Sequence, residues 1–172
     1  MPNATAEEKG FVLRTAALAD AAALAGLADD LSWSEGDPTG LITTETMVRD
    51  LAAGQISVVL AEVGDTVIGY CLYHFGYEST YAADGVYVVD LFVVEGWRRS
   101  GVGRALIAEV CRRSKEEGGI FVWWASRPGN EVANAAYARL ATISEPVIAH
   151  AVFDERFEQL VADAEERAAQ AL

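Results

Sequence analysis

The chain of 172 residues holds two cysteines, two histidines and four prolines, and only 13 basic residues against 26 acidic ones. Each scarcity excludes something. Cys71 and Cys111 both fall in segments of apolar periodicity, so two buried, reduced thiols are expected rather than a disulfide. A net charge of −13 would repel a phosphate backbone, which argues against a nucleic-acid partner. No unbroken apolar stretch approaches the roughly 18 residues that a membrane span needs. Met1 to Gly10 is polar and lacks the apolar centre of a signal peptide, so residues 1–10 are expected as a disordered or extended terminus and the protein as soluble and cytoplasmic. There is no repeat, low-complexity tract or linker. With 52% apolar residues, the length suits one domain over residues 11–172 with a sizeable core.

What is present is unevenly spread. Six of the basic residues (Arg98, Arg99, Arg104, Arg112, Arg113, Lys115) stand between positions 98 and 115 with one acid, Glu109, so that segment carries +5 and the rest of the chain −18. On composition alone this is equally a solvated helix face or a local anion site in an otherwise acidic protein.

Apolar periodicity and turn residues set out the elements. Phe11 to Arg14 reads as a short strand, and Asp20 can cap a helix over Ala21 to Leu31. A turn-rich loop, Ser32 to Gly40, precedes a second helix from about Thr44 to Ala53, stopped by Gly54. Ile56 to Val63 and Thr66 to Phe75 form a hairpin across Gly64-Asp65. Val86 to Val94 is nearly all apolar, as a strand covered on both faces should be. A helix over Gly101 to Glu117, a strand over Ile120 to Ala125, a helix over Asn130 to Leu140, a strand over Val147 to Phe153 and an amphipathic helix capped by Asp154 complete the order. The fold class is α/β: an antiparallel meander followed by β-α-β-α-β, giving a mixed sheet with helices on its faces.

The stretch from Val86 to Leu106, VYVVDLFVVEGWRRSGVGRAL, carries the chemistry. A buried strand enters a turn with Gly101 and Gly103, and the turn opens a helix. Backbone N–H groups at such a turn point outward, where the helix dipole also favours an anion. A dinucleotide fingerprint would need a third glycine where Leu106 stands. A Walker A loop would need Gly-Lys-Ser/Thr, which is absent. A lone pair of glycines would otherwise be a plain strand-to-helix turn.

Arg98-x-x-Gly101-x-Gly103, after a strand ending Leu91-Phe92-Val93, resembles the R/Q-x-x-G-x-G/A pyrophosphate loop of the Gcn5-related N-acetyltransferases. Asn130-x-x-Ala133-x-x-x-Tyr137 resembles that family's N-x-x-A-x-x-x-Y helix, and Leu13-Arg14 with the Asp20-capped helix resembles its N-terminus. The similarity covers residues 11 to 160. It implies a single-domain fold with a mixed, mostly antiparallel sheet, a bulged strand and helices on both faces. It also implies acetyl-CoA as co-substrate, no metal, and a homodimer. Pantetheine would pair with Leu91, Phe92 and Val93. The pyrophosphate would lie against Arg98, Arg99, Ser100, Gly101, Val102, Gly103 and Arg104. Asn130 and Ala133 would line the pantetheine arm, an N–H near Val93 would hold the acetyl carbonyl, and Tyr137 would protonate the departing thiolate in a direct transfer.

Within the family, Gly69 to Ser79 (GYCLYHFGYES) and VYVVDLFV are similar to the third and fourth strands of the diamine acetyltransferases (spermidine/spermine-type and thialysine-type). Glu35 aligns there with a glutamate beside the polyamine, and Glu78 and Asp84 are further acidic candidates. The glutamate that helps to deprotonate the amine is Val89 in this chain. Asp90 beside it should point to the other sheet face unless a bulge re-aims it. Ala141-Thr142 replaces the Gly-Phe that often follows the tyrosine helix. The base is therefore unassigned, with His74 and His150 available but ordinary as structural histidines. The expected activity is N-acetylation of a small amine, a diamine or polyamine-like cation among the candidates. The alternatives are an aminoglycoside-type or other small-amine acetyltransferase of the same fold, a catalytically silent acyl-CoA-binding or sensory domain, and acetylation of a peptide N-terminus or lysine.

Overall fold

In a computed structural model of the protein, residues 10–170 are described. The expectation for the first ten positions falls, apart from Gly10, outside them. The chain divides into two compact units, residues 1–127 and 128–172.

The first unit is built on a five-stranded sheet in the order β1-β2-β3-β4-β5. The strands are β1 (Val12–Thr15), β2 (Ser57–Val63), β3 (Thr66–Glu78), β4 (Ala83–Val93) and β5 (Phe121–Trp123). Neighbours from β1 to β4 are antiparallel and β4 to β5 is parallel, so the sheet is mixed and mostly antiparallel. Gly64, at φ +58°, makes the expected tight turn between β2 and β3, a conformation that glycine adopts without a steric cost.

Helices cover both faces of this sheet. On one, α3 (Val102–Glu116) buries Val102, Leu106, Ile107 and Val110 against Phe11, Val59, Cys71, Tyr73 and Val86. Those spacings of one, three and four residues are one stripe of an amphipathic helix. On the other, α1 (Ala21–Glu35) and α2 (Thr44–Ala52) bury Leu24, Ala28 and Met47 against Val58, Leu60, Tyr70, Leu72 and Phe92. Thr43 caps α2 by accepting from the Thr46 N–H at 3.2 Å.

Several boundaries differ from the sequence reading. Helix α1 runs on to Glu35, because Gly36 at φ +75° supplies its left-handed cap only there. Asp20 does not cap α1. Its carboxylate accepts from both terminal nitrogens of Arg14 at 2.7 and 2.8 Å and from the Ala17 N–H at 2.7 Å, tying β1 to the turn before the helix. Strand β5 keeps three residues of the six expected. Cys71 is buried as expected, but Cys111 is exposed, since it lies off the buried stripe of α3.

The second unit holds α4 (Glu131–Tyr137) and α5 (Asp154–Gln170). The strand expected over Val147 to Phe153 is irregular chain. Among the described residues of this unit there is no other strand to take up its backbone groups, and Val147, Ile148 and Phe153 are exposed.

Candidate active site

Two features of the first unit meet at the C-terminal end of β4. The first is a free strand edge. Strand β5 pairs with β4 only along Gly85, Val86 and Tyr87. Strand β3 stays paired with β4 as far as Val93, and the Val94 N–H continues the ladder to the Ile68 carbonyl at 3.0 Å. Antiparallel pairing alternates the direction of successive residues, so Phe92 and Val94 turn their backbone groups to β3. Leu91 and Val93 therefore turn theirs to the side that β5 has left. The Val93 carbonyl accepts from the Arg98 Nε at 3.1 Å, which leaves the Val93 N–H and both groups of Leu91 along that edge.

The second feature is the head of α3. After β4 a single 3₁₀ turn, Glu95–Trp97, leads to Arg98. Arg99 and Gly101 then take positive φ, +63° and +94°. The Ser100 hydroxyl holds the turn by donating to the Trp97 carbonyl at 2.6 Å. The first helical bond at the start of α3 runs from the Ala105 N–H to the Gly101 carbonyl at 3.0 Å. The N–H groups of Val102, Gly103 and Arg104 precede it and have no carbonyl one turn back, the condition that makes a helix start an anion site. A Cβ added at Gly103 would meet nothing nearer than the Val93 Cγ2 at 3.8 Å, so the ground beside the strand edge is open. Arg98 turns back over the Phe92 ring, 5.9 Å from its centroid. Arg99 and Arg104 are exposed and form no ion pair among the described residues. This donor set suits a diphosphate, and the strand edge suits an amide-bearing arm. Among the described residues no group of three His, Cys, Asp or Glu side chains could hold a metal.

The bulge is present, and Val89 is the residue it expels. Tyr73 pairs with Val88 and Leu72 with Asp90, so Val89 has no partner on β3 and is 58% exposed. The extra residue keeps Asp90 on the α1/α2 face with Leu72 and Phe92. There its carboxylate accepts from the Tyr70 hydroxyl at 3.1 Å. Burial raises the Asp90 pKa, and the Tyr70 bond opposes part of that rise.

Glu35 and Glu78 are engaged. Glu35 lies 3.9 Å from Arg127, whose guanidinium also donates to the Glu35 carbonyl at 2.7 Å and to Asp37 at 2.5 Å. Glu78 accepts from the Tyr87 hydroxyl at 2.9 Å and from the Thr80 N–H at 3.0 Å, which lowers its pKa, the Thr80 bond first. His74 is exposed and stacked on Tyr87, with ring centroids 5.6 Å apart. Asp84 and His150 are exposed, and Asp84 offers its carbonyl to the Ile120 N–H at 3.0 Å.

In the second unit the Asn130 Oδ1 accepts from the Ala133 N–H at 3.1 Å, so the asparagine-alanine spacing is first of all a helix cap. Tyr137 is the last residue of α4, one turn beyond Ala133 and on the same side of the helix.

The chain matches the profile of the Acetyltransferase (GNAT) family over residues 27–141. It belongs to that family. The D-amino-acid N-acetyltransferase of Saccharomyces cerevisiae is 36% identical over 87 residues, which are 51% of this chain and 53% of that protein. The thialysine N-epsilon-acetyltransferase of Caenorhabditis elegans is 25% identical over 95 residues, 55% of this chain and 59% of that one. The chain thus spans little more than half the length of these curated relatives. Among solved structures, an aminoglycoside acetyltransferase from an uncultured soil metagenomic sample, in complex with sisomicin, superposes with a TM-score of 0.73. It is 17% identical and covers 86% of this chain and 99% of that one, a likeness of fold. Sequence reasoning missed Tyr70, whose aromatic run gave no sign of a carboxylate partner, and Arg127, for which no local pattern exists.

Proposed function

We propose that the protein is an N-acetyltransferase that moves the acetyl group of acetyl-CoA directly to the nitrogen of a small primary amine. The observation that carries this reading is the juxtaposition, in one unit, of the free Leu91–Val93 edge and the open amides of Val102, Gly103 and Arg104. An arm with amide groups and a diphosphate must be held together, and these two features sit on consecutive elements joined by the Arg98–Gly101 turn.

Bound acetyl-CoA would bring an activated acyl thioester. The chain would supply position, polarity and protons. In this reading Leu91, Phe92 and Val93 align the arm, the Val93 N–H polarises the acetyl carbonyl, and Arg98, Arg99, Ser100, Gly101 and the first turn of α3 hold the diphosphate. Asn130 and Ala133 shape the start of α4, and the Tyr137 hydroxyl gives its proton to the leaving sulfur. Residues 11–172 act as one transferase domain. The acceptor is a small amine, and the charge of −18 outside the basic segment favours a cationic one. The named substrates of the relatives (a D-amino acid, thialysine, an aminoglycoside) all offer an amine, and they set the range of candidates. Glu35, held by Arg127, serves this reading as an anchor for the end of α1. A homodimer is the proposed assembly, to be read from the mass in light scattering.

Initial-velocity kinetics test the direct transfer. Varying acetyl-CoA at several amine concentrations should give intersecting double-reciprocal lines, as a ternary complex requires. Parallel lines, or a protein carrying an acetyl group after incubation without amine, would contradict it.

A further inference from the structure

Strand β4 carries an acid that the bulge has not turned to the surface. Asp90 stands opposite Leu72 and two residues before Phe92, on a face otherwise apolar: Leu24 and Ala28 from α1, Met47 from α2, and Leu60 from β2. A half-buried carboxylate in such a place is costly unless something holds it. Among the described residues the one side chain bonded to it is Tyr70, fully buried on β3, whose hydroxyl stands 3.1 Å from the Asp90 Oδ2. Among the described residues no cation is paired with Asp90; burial and the Tyr70 bond set its state. The Cys71 thiol, next along β3 on the opposite face, is pushed up by burial first and by the Asp90 charge second. The phenol of Tyr70 is itself raised by burial, so it keeps its proton and acts as a donor.

We infer that Tyr70 and Asp90 form the proton-accepting pair of the reaction, with Asp90 receiving the proton of the amine and Tyr70 positioning it. The inference rests on the N-acetyltransferase reading. Three facts converge on it. A base is required, because a protonated amine has no lone pair for attack, and Val89 supplies none. The bulge fixes Asp90 one residue before Leu91, whose backbone lies along the free edge. The Tyr70 hydroxyl engages Oδ2, which holds the rotamer, and Oδ1 accepts no hydrogen bond among the described residues. In the balanced step, Asp90 first takes one proton from the ammonium group and passes it to water. The neutral nitrogen then bonds to the acetyl carbon, its second proton passes to Asp90, the carbon–sulfur bond breaks, and the sulfur takes the proton of Tyr137; the proton on Asp90 returns through water to Tyr137.

The pH dependence of kcat/KM for a series of amines, with Asp90→Asn and Tyr70→Phe, tests the pair. Wild-type protein should show an acidic limb whose midpoint does not follow the pKa of the amine. Asp90→Asn should remove that limb and lower kcat by about 10² to 10⁴-fold with little change in the KM for acetyl-CoA. Tyr70→Phe keeps the buried ring. It should move the limb up, because a donor that favoured the charged carboxylate is gone. Carbon-13 NMR of the Asp90 carboxyl in the free protein should show the same upward move. A limb that tracks the amine series, or an Asp90→Asn variant with undiminished kcat, overturns the pair and leaves the acetyltransferase reading standing. A Tyr70→Phe titration identical to wild type by NMR overturns the positioning role. Absence of acetyl transfer to every amine by the wild-type protein overturns both readings together.

Discussion

Gly101 and Gly103 stand two residues apart in one motif, yet the structure asks different things of them, and two alanine variants separate those demands. Gly101 sits at φ +94° and ψ −1°. A side chain in the left-handed region costs about 1–2 kcal/mol. If the turn keeps its shape in the free protein, Gly101→Ala loses that much stability, and the melting temperature falls about 2–4 °C for each kcal/mol in a chain of this size. If the turn relaxes, the same free energy is withdrawn from acetyl-CoA binding, where 1.4 kcal/mol is about tenfold, so the affinity falls roughly 5- to 30-fold. The two losses should sum to about 1–2 kcal/mol however they divide. Gly103 has no positive φ and open space out to 3.8 Å. Alanine there suits the first turn of a helix and adds up to about 1 kcal/mol of stability. The family pattern also admits alanine at that position, so binding should stay within a few-fold. Scanning calorimetry gives one loss and titration calorimetry with acetyl-CoA the other. A Gly101→Ala protein that melts and binds like wild type would refute the reasoning, as would a Gly103→Ala protein that binds worse than Gly101→Ala.

Three further outcomes are expected. Tyr137→Phe should lower kcat by about 10² to 10⁴-fold while the KM for acetyl-CoA moves little, checked by steady-state thiol release. Gly69→Ala puts a methyl 2.7 Å from the Phe92 carbonyl oxygen, directly across from Val93. It should destabilise the protein by about 1–3 kcal/mol in urea and weaken acetyl-CoA binding, since the strands must part at the acetyl site. Asp20 is held below its ordinary pKa first by its bond from Arg14, and Glu109 is lowered to about 2 first by Arg112. Both carboxylates have a folded pKa below the unfolded one. Their stabilisation is therefore complete above about pH 4–5 and lost as pH falls towards about 2. Melting temperatures measured across that window should drop, and Asp20→Asn should flatten part of the fall.

The legibility of the fold followed the locality of each signal. Gly64-Asp65 fixed a hairpin because the turn residue and its φ are one and the same fact. The apolar stripe of α3 was readable because Val102, Leu106 and Val110 repeat at the helical period. The turn at Gly101 was readable because only glycine supports that φ cheaply. Where the deciding partner is distant, the reading failed. Asp20 has the composition of a cap, but Arg14 draws its carboxylate away from α1. Ser32 to Glu35 has the composition of a loop, but Gly36 defers the end of the helix. Val147 to Phe153 has the apolar, β-branched content of a strand, and among the described residues of its unit no strand is there to pair with it. The bulge at Val89 follows from how β3 and β4 match, which neither strand states alone. The Tyr70–Asp90 bond, across 20 positions, is a product of that register.

The central claim is acetyl transfer from acetyl-CoA to an amine, and it can be measured in one assay. The protein is incubated with acetyl-CoA and a panel of D-amino acids, lysine analogues, diamines and aminoglycosides. Free thiol is followed by absorbance and acetylated product by mass. Amine-dependent thiol release should be matched mole for mole by an N-acetylated amine, and both should be lost in Tyr137→Phe. Thiol release that is equal with and without amine, or none with any member of the panel, would contradict the claim.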